Sequence, residues 1–199
     1  MAHLVQPIFG PYVNQTLPPQ VHLLTTTPRP MHFTMELEDP WNWKACEHCK
    51  RPSCVNPEIC PNLNTDHSRL LDIYHSVDEL SGIKKSFIGS GVRYDLLLHK
   101  SKDEKSNEAA RQYTHELITR HVSGRLKVAP EHTSDRVLKL MRKPSFQQFY
   151  IFKRIFDRIN REEGLRQQII PYFISSHPGC QEEDMAELAV LTKDLDFHL

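Results

Sequence analysis

Three short apolar runs, each separated from the next by amphipathic stretches, restrict the fold of this chain more than any other feature. Ser86–Val92 (SFIGSGV), Gly124–Ala129 (GRLKVA) and Gln168–Ile174 (QIIPYFI) read as buried strands. Helices are expected over Ser68–Leu80, Ser101–His121, Ser134–Met141, Ser145–Glu163 and Glu182–Leu195. The first has Leu70, Ile73, Tyr74 and Val77 on one face, with Gly82 as its stop. The second opens on a capping-box pattern, Ser101 with Glu104, and turns Tyr113, Leu117 and Ile118 inward. The fourth pairs Ser145 with Gln148, carries a stripe of Phe149, Phe152, Phe156 and Ile159, and closes at Gly164. The last has three acids in its first turn, where the helix dipole favours them. Strand–helix alternation implies an α/β fold with a parallel sheet and right-handed crossovers. Three parallel strands with flanking helices cannot close a barrel. They form an arc with two open edges, which either the preceding residues or a missing part of the fold must cover.

The first part of the chain has a different texture. Residues 1–40 hold seven of the fourteen prolines, no acid before Glu36, and only Arg29 as a basic residue. They show no useful periodicity, so residues 1–44 are expected to be an irregular arm. The core is expected over residues 45–199. Its first part is a cysteine-rich loop at 46–60, where Pro52 and Pro57 oppose a helix. Four of the five cysteines lie there, as Cys46, Cys49, Cys54 and Cys60. Clustered thiols in an odd total fit metal ligation in a reducing compartment better than a disulfide framework, so the expected location is the cytoplasm. Four sulfurs suit tetrahedral zinc or an iron–sulfur cluster, with His48 and His67 as alternative ligands. Free thiols in a stiff loop are the plainer alternative. The spacing Cys-x2-Cys-x4-Cys-x5-Cys fits no standard zinc finger, and Cys-x3-Cys-x2-Cys occurs nowhere. Lys plus Arg equals Asp plus Glu, so no broad nucleic-acid footprint is expected. No apolar run approaches a membrane span, and the N-terminus lacks a signal-peptide pattern.

In parallel α/β folds, function gathers at the carboxyl ends of the strands. The three ends here read Gly89–Asp95, Ala129–Thr133 and Ser175–Gly179. The candidate ligand-facing residues are Ser90, Arg93, Glu131, His132, Ser175 and His177. The alternative is that they are loop residues and caps, Thr133 and Ser134 especially. A metal-assisted hydrolase would need Glu131, His132 and His177 to converge on one ion. Lys84-Lys85 and Arg142-Lys143 read as solvated surface, as do His75, His99, His115 and His121.

Four stretches, CKRPSCVNPEICPNLNTDH, GIKKSFIGSGVRYDLL, HVSGRLKVAPEHTSDRVLKLMRKP and IIPYFISSHPGCQEEDM, together resemble the YgiQ-type radical SAM proteins over residues 49–199. The resemblance implies a partial TIM-like (radical SAM) barrel. In such enzymes a 4Fe–4S cluster binds S-adenosylmethionine and reductively cleaves it to a 5′-deoxyadenosyl radical. By position, Ser90, Arg93, Glu131 and His132 would lie near S-adenosylmethionine or the substrate, with Ser175 and His177 on the next strand. The family's cluster-binding cysteines and glycine-rich second strand lie upstream of the matched region and are absent from this sequence. Cys49, Cys54 and Cys60 match a cysteine-rich stretch of the family, Cys46 is additional, and Cys180 is assigned no role. The expectation is therefore a truncated or rearranged part of a radical SAM core, inactive alone, whose partners are an unknown substrate and the missing N-terminal half. The alternative is a non-catalytic interaction module holding zinc or an accessory cluster at Cys46, Cys49, Cys54 and Cys60.

Overall fold

The structure is a computed structural model that describes residues 49–89, 91–195 and 197. The expected arm at 1–44, together with Cys46, His48 and Ser90, lies outside the described residues. The elements in chain order are α1 (Ser68–Asp78), α2 (Tyr94–Leu97), α3 (Glu104–Arg120), β1 (Arg125–Glu131), α4 (Asp135–Leu140), α5 (Phe146–Glu162), β2 (Gln168–Phe173) and α6 (Glu182–Asp194).

β1 and β2 pair in parallel, with Arg125 opposite Gln168 and Val128 opposite Pro171; the register is irregular between Val128 and Glu131. Among the described residues, the third expected strand forms no ladder. Ser86–Val92 touches β1 through one parallel bridge, Val92 to Val128. The Ile88 N–H donates to the His121 carbonyl (2.8 Å), and the Val92 N–H donates to the Lys127 carbonyl at 3.4 Å. A run this apolar was expected to form a ladder, but its residues find only two backbone acceptors among the described residues.

The helices lie where their apolar stripes predict. α5 buries Phe149, Phe152, Phe156 and Ile159. These meet Tyr94 of α2 at ring-centroid distances of 5.9 Å to both Phe149 and Phe152. α3 buries Tyr113, Leu117 and Ile118 and packs between α1 and α5. From the sheet, Leu126, Val128 and Ile169 enter the same core. α2, four residues long, was not expected. Leu80 falls outside α1, which ends at Asp78, and Gly82 takes φ 90 in the turn beyond.

Two cap assignments change. α3 is capped by Asp103, whose carboxylate accepts from Lys105 and Ser106 N–H groups, rather than by Ser101. Ser145 does cap α5, accepting from the Gln147 N–H. At α6 a capping box forms between Gln181 and Asp184, with the three acids in its first turn. His121, expected at the surface, is buried and stacks on Tyr74 at 4.2 Å. Among the described residues, no helix is long and apolar enough to cross a membrane.

Candidate site at the carboxyl ends of the strands

β1 delivers Glu131 and His132 to the end of the sheet. Glu131 takes φ 69, a left-handed backbone that costs a non-glycine residue energy and tends to cluster at functional positions. Its carbonyl accepts from the Ile174 N–H (2.8 Å), which ties the ends of β1 and β2 together. Its carboxylate is split in role. Oε1 accepts from Lys143 Nζ at 2.8 Å, while Oε2 is buried with no partner. Lys143 is therefore not idle surface charge but the counterion of the site. Nothing in the sequence links it to Glu131; the turn after α4 brings it back.

His132 is fully buried. Its Nδ1 accepts from the N–H groups of both Thr133 and Ser134, each at 3.0 Å. An acceptor at Nδ1 places the ring proton on Nε2. Nε2 faces Cys180 Sγ at 3.4 Å. Burial lowers the pKa of His132, and the carboxylate of Asp184 only partly opposes this. The imidazole is thus neutral and does the work expected of a cap: Ser134 sits at the N-cap of α4, yet its side chain makes no cap bond.

After β2 the chain turns through Ser176 (φ 58). His177 Nδ1 accepts from the Gly179 N–H (3.2 Å), and the Cys180 N–H donates to the His177 carbonyl (2.7 Å). Arg136 Nη1 donates to the Gly179 carbonyl (2.7 Å), and its other amino group pairs with Asp184. This turn holds Cys180 against His132. Cys180 carried no role in the sequence reading, because the contact joins residues 48 positions apart.

The other candidates are placed differently. Arg93 pairs with Asp95 two residues along, through Nε (3.1 Å) and Nη2, and does not bind Glu131. Burial, followed by the charge of Asp95, raises the pKa of Tyr94. Ser175 is exposed. The metal-assisted hydrolase is overturned. Among the described residues, no group of three or more His, Cys, Asp or Glu side chains could hold a metal ion. Both ring nitrogens of His132 are already engaged, and one Glu131 oxygen is held by Lys143.

The cysteine segment has another character. Cys54 and Cys60 are buried in a small apolar cluster with Leu63 and Leu96. Cys49 is exposed, and its sulfur accepts from the Arg51 N–H at 3.4 Å. The Arg51 guanidinium pins the loop by donating to the Glu58 carbonyl at 2.7 Å. His67 is buried against Tyr113 (5.1 Å), with Nδ1 on the Thr65 carbonyl (2.7 Å). Burial lowers its pKa.

The chain is thus an α/β protein with a polar constellation at its strand ends. Its relatives include the UPF0313 protein of Bacteroides thetaiotaomicron, 76% identical over 154 residues. The UPF0313 proteins of Porphyromonas gingivalis and Pseudomonas syringae pv. tomato are 67% and 47% identical over 154 and 149 residues. These matches cover 77%, 77% and 75% of this chain but only 25%, 24% and 18% of the relatives, so the chain spans a quarter or less of their length. UPF0313 is the family of the YgiQ-type sequences. No family model matches the chain, and no solved structure does.

Proposed function

We propose that this chain is part of the core of a YgiQ-type radical SAM protein, and that the carboxyl end of β1 faces S-adenosylmethionine. The observation that carries the reading is Glu131. Its buried Oε2 has no partner, and an acceptor left open at a strand end suits a ligand N–H or O–H. The ammonium and ribose hydroxyls of S-adenosylmethionine are such donors. Lys143 orients the carboxylate through its hydrogen bond to Oε1, and His132 holds the turn that follows. When bound to a reduced iron–sulfur cluster, S-adenosylmethionine supplies a 5′-deoxyadenosyl radical.

The cluster itself does not fit the residues described. Cys54 and Cys60 face an apolar cluster, and no three donors converge. Because the sequence also lacks Cys-x3-Cys-x2-Cys, the chain by itself does not cleave the cofactor. The zinc-holding module draws no support from the described residues, for the same reason. The cytoplasm remains our proposed location.

Calorimetry tests the ligand role. The chain is expected to bind S-adenosylmethionine, and Glu131→Gln to weaken binding about tenfold, the typical worth of a hydrogen bond to a charged group. Equal binding by both would remove Glu131 from the site. Anaerobic incubation with iron, sulfide, dithionite and S-adenosylmethionine is expected to yield no 5′-deoxyadenosine; robust production overturns the claim of inactivity.

A further inference from the structure

The two faces of the β1–β2 pair differ in kind. One is buried: Leu126, Val128 and Ile169 enter the core with the helices. The other carries Arg125, Lys127 and Ala129 of β1 with Gln168, Ile170 and Tyr172 of β2, and all six are exposed. Strand residues alternate between faces, so a sheet covered on one side is expected to be polar on the other. Arg125, Lys127 and Gln168 obey. Ile170 and Tyr172 do not, being 38% and 64% exposed. Large apolar groups gathered on an uncovered face mark a contact surface.

The charge on this face is one-sided. Its charged residues are both cations, and among the described residues neither Arg125 nor Lys127 makes a salt bridge. At the strand ends, by contrast, Lys143 lies on Glu131 and Arg136 on Asp184. The face is also graded along the strands. Arg125 lies opposite Gln168 and Lys127 opposite Ile170, so the cations sit toward the amino end. Tyr172 stands two residues beyond Ile170, toward the carboxyl end. At about 3.3 Å of rise per residue and about 4.8 Å between strands, its Cα is about 8 Å from that of Lys127.

We propose that this face binds a free nucleotide, with the base against Tyr172 and Ile170 and a phosphate on Lys127 and Arg125. Ammonium and guanidinium groups are strong donors to phosphate, and an exposed phenol ring stacks on a base of any sequence. A nucleoside monophosphate spans the interval between the ring and the cations. Two cations and one ring make too small a footprint for a polynucleotide, which is held by a run of phosphate contacts. S-adenosylmethionine has a base but no phosphate, so it leaves the cations unanswered. The proposal rests on the proposed function for calling this nucleotide a substrate, but not for its binding. It adds the chemical class of that substrate: a phosphorylated nucleoside whose ring lies toward the strand ends.

Calorimetry on the full chain tests it, with adenosine monophosphate, adenosine and S-adenosylmethionine as separate probes. The monophosphate is expected to bind, and adenosine to bind about tenfold more weakly, having lost its charge-assisted hydrogen bonds. Lys127→Met should weaken the monophosphate about tenfold and leave adenosine unchanged. Tyr172→Ala should weaken both about fivefold. Both side chains are exposed, so circular dichroism should not change. Lys139→Met, at an exposed cation on α4, is the control and should bind the monophosphate normally. Equal binding of adenosine and the monophosphate would overturn the proposal. So would normal binding of the monophosphate by both variants, or no binding of it at all. Tighter binding of single-stranded oligoadenylate than of the monophosphate would overturn the choice of a free nucleotide. A chain that binds S-adenosylmethionine but not the monophosphate refutes this proposal alone. One that binds the monophosphate as expected but not S-adenosylmethionine refutes the cofactor reading alone.

Discussion

The two cysteine-bearing regions of this molecule are built on opposite plans. In the loop after Cys49, Cys54 and Cys60 are buried beside Leu63 and Leu96. At the turn after β2, Cys180 faces the N–H of a fully buried imidazole, inside a network that includes Arg136 and Asp184. The region dense in sulfur is pinned from within, by the Arg51 guanidinium on the Glu58 carbonyl. The region with one sulfur is held by hydrogen bonds from three elements. Polar chemistry in this fold follows the places where strands stop, not the density of reactive residue types.

The largest expected effect tests the organised region. His132→Leu leaves the Thr133 and Ser134 N–H groups without their acceptor in a buried turn. It should cost about 3 kcal/mol in urea unfolding. A cost below about 1 kcal/mol would erase the contrast between the two regions.

Acid tests the same residue without mutation. Burial depresses the pKa values of both His132 and His67, so the unfolded chain binds protons that the folded chain refuses. Stability is then complete above the ordinary imidazole pKa of about 6.5. It is lost as pH falls from there toward the depressed folded values, by at most about 1.4 kcal/mol per pH unit for each ring. Unfolding free energies measured from pH 7 to pH 5 should show this slope, and His132→Leu should reduce it. A flat profile would mean that neither ring is held neutral.

The cysteine loop should respond more weakly. Cys60→Ala removes a buried sulfur from a small cluster and should cost about 1 kcal/mol. Cys49→Ala, at an exposed position, should change stability by less than about 0.5 kcal/mol. Equal, large losses at both would instead mark a shared metal, and would make the loop the organised region.

What the sequence makes legible follows from range. The phenylalanine stripe of α5, the acids opening α6 and the runs that become β1 and β2 all depend on neighbours within a few residues, and all lie where expected. The Lys143–Glu131 pair and the Cys180–His132 contact join separate elements, and no periodicity announces them. Asp103 displaces Ser101 as a cap because either side chain could serve, and only the path of the backbone chooses between them. The run at Ser86–Val92 has a strand's composition, yet composition cannot supply a second ladder. Of the candidate site, Glu131 and His132 were legible as strand-end residues, but their division of labour was not. For Arg93 the pairing is local: Asp95, its counterion, lies two residues away.

The tyrosines of the core give the molecule an optical signature. Burial is the first cause raising the pKa values of Tyr74, Tyr94 and Tyr113. Phenolate absorbance monitors this core. Above the ordinary tyrosine pKa of about 10, these phenols stay protonated only while the core is intact. In alkali their ionisation and the collapse of the helix packing become one event, visible as a single late step in the ultraviolet spectrum.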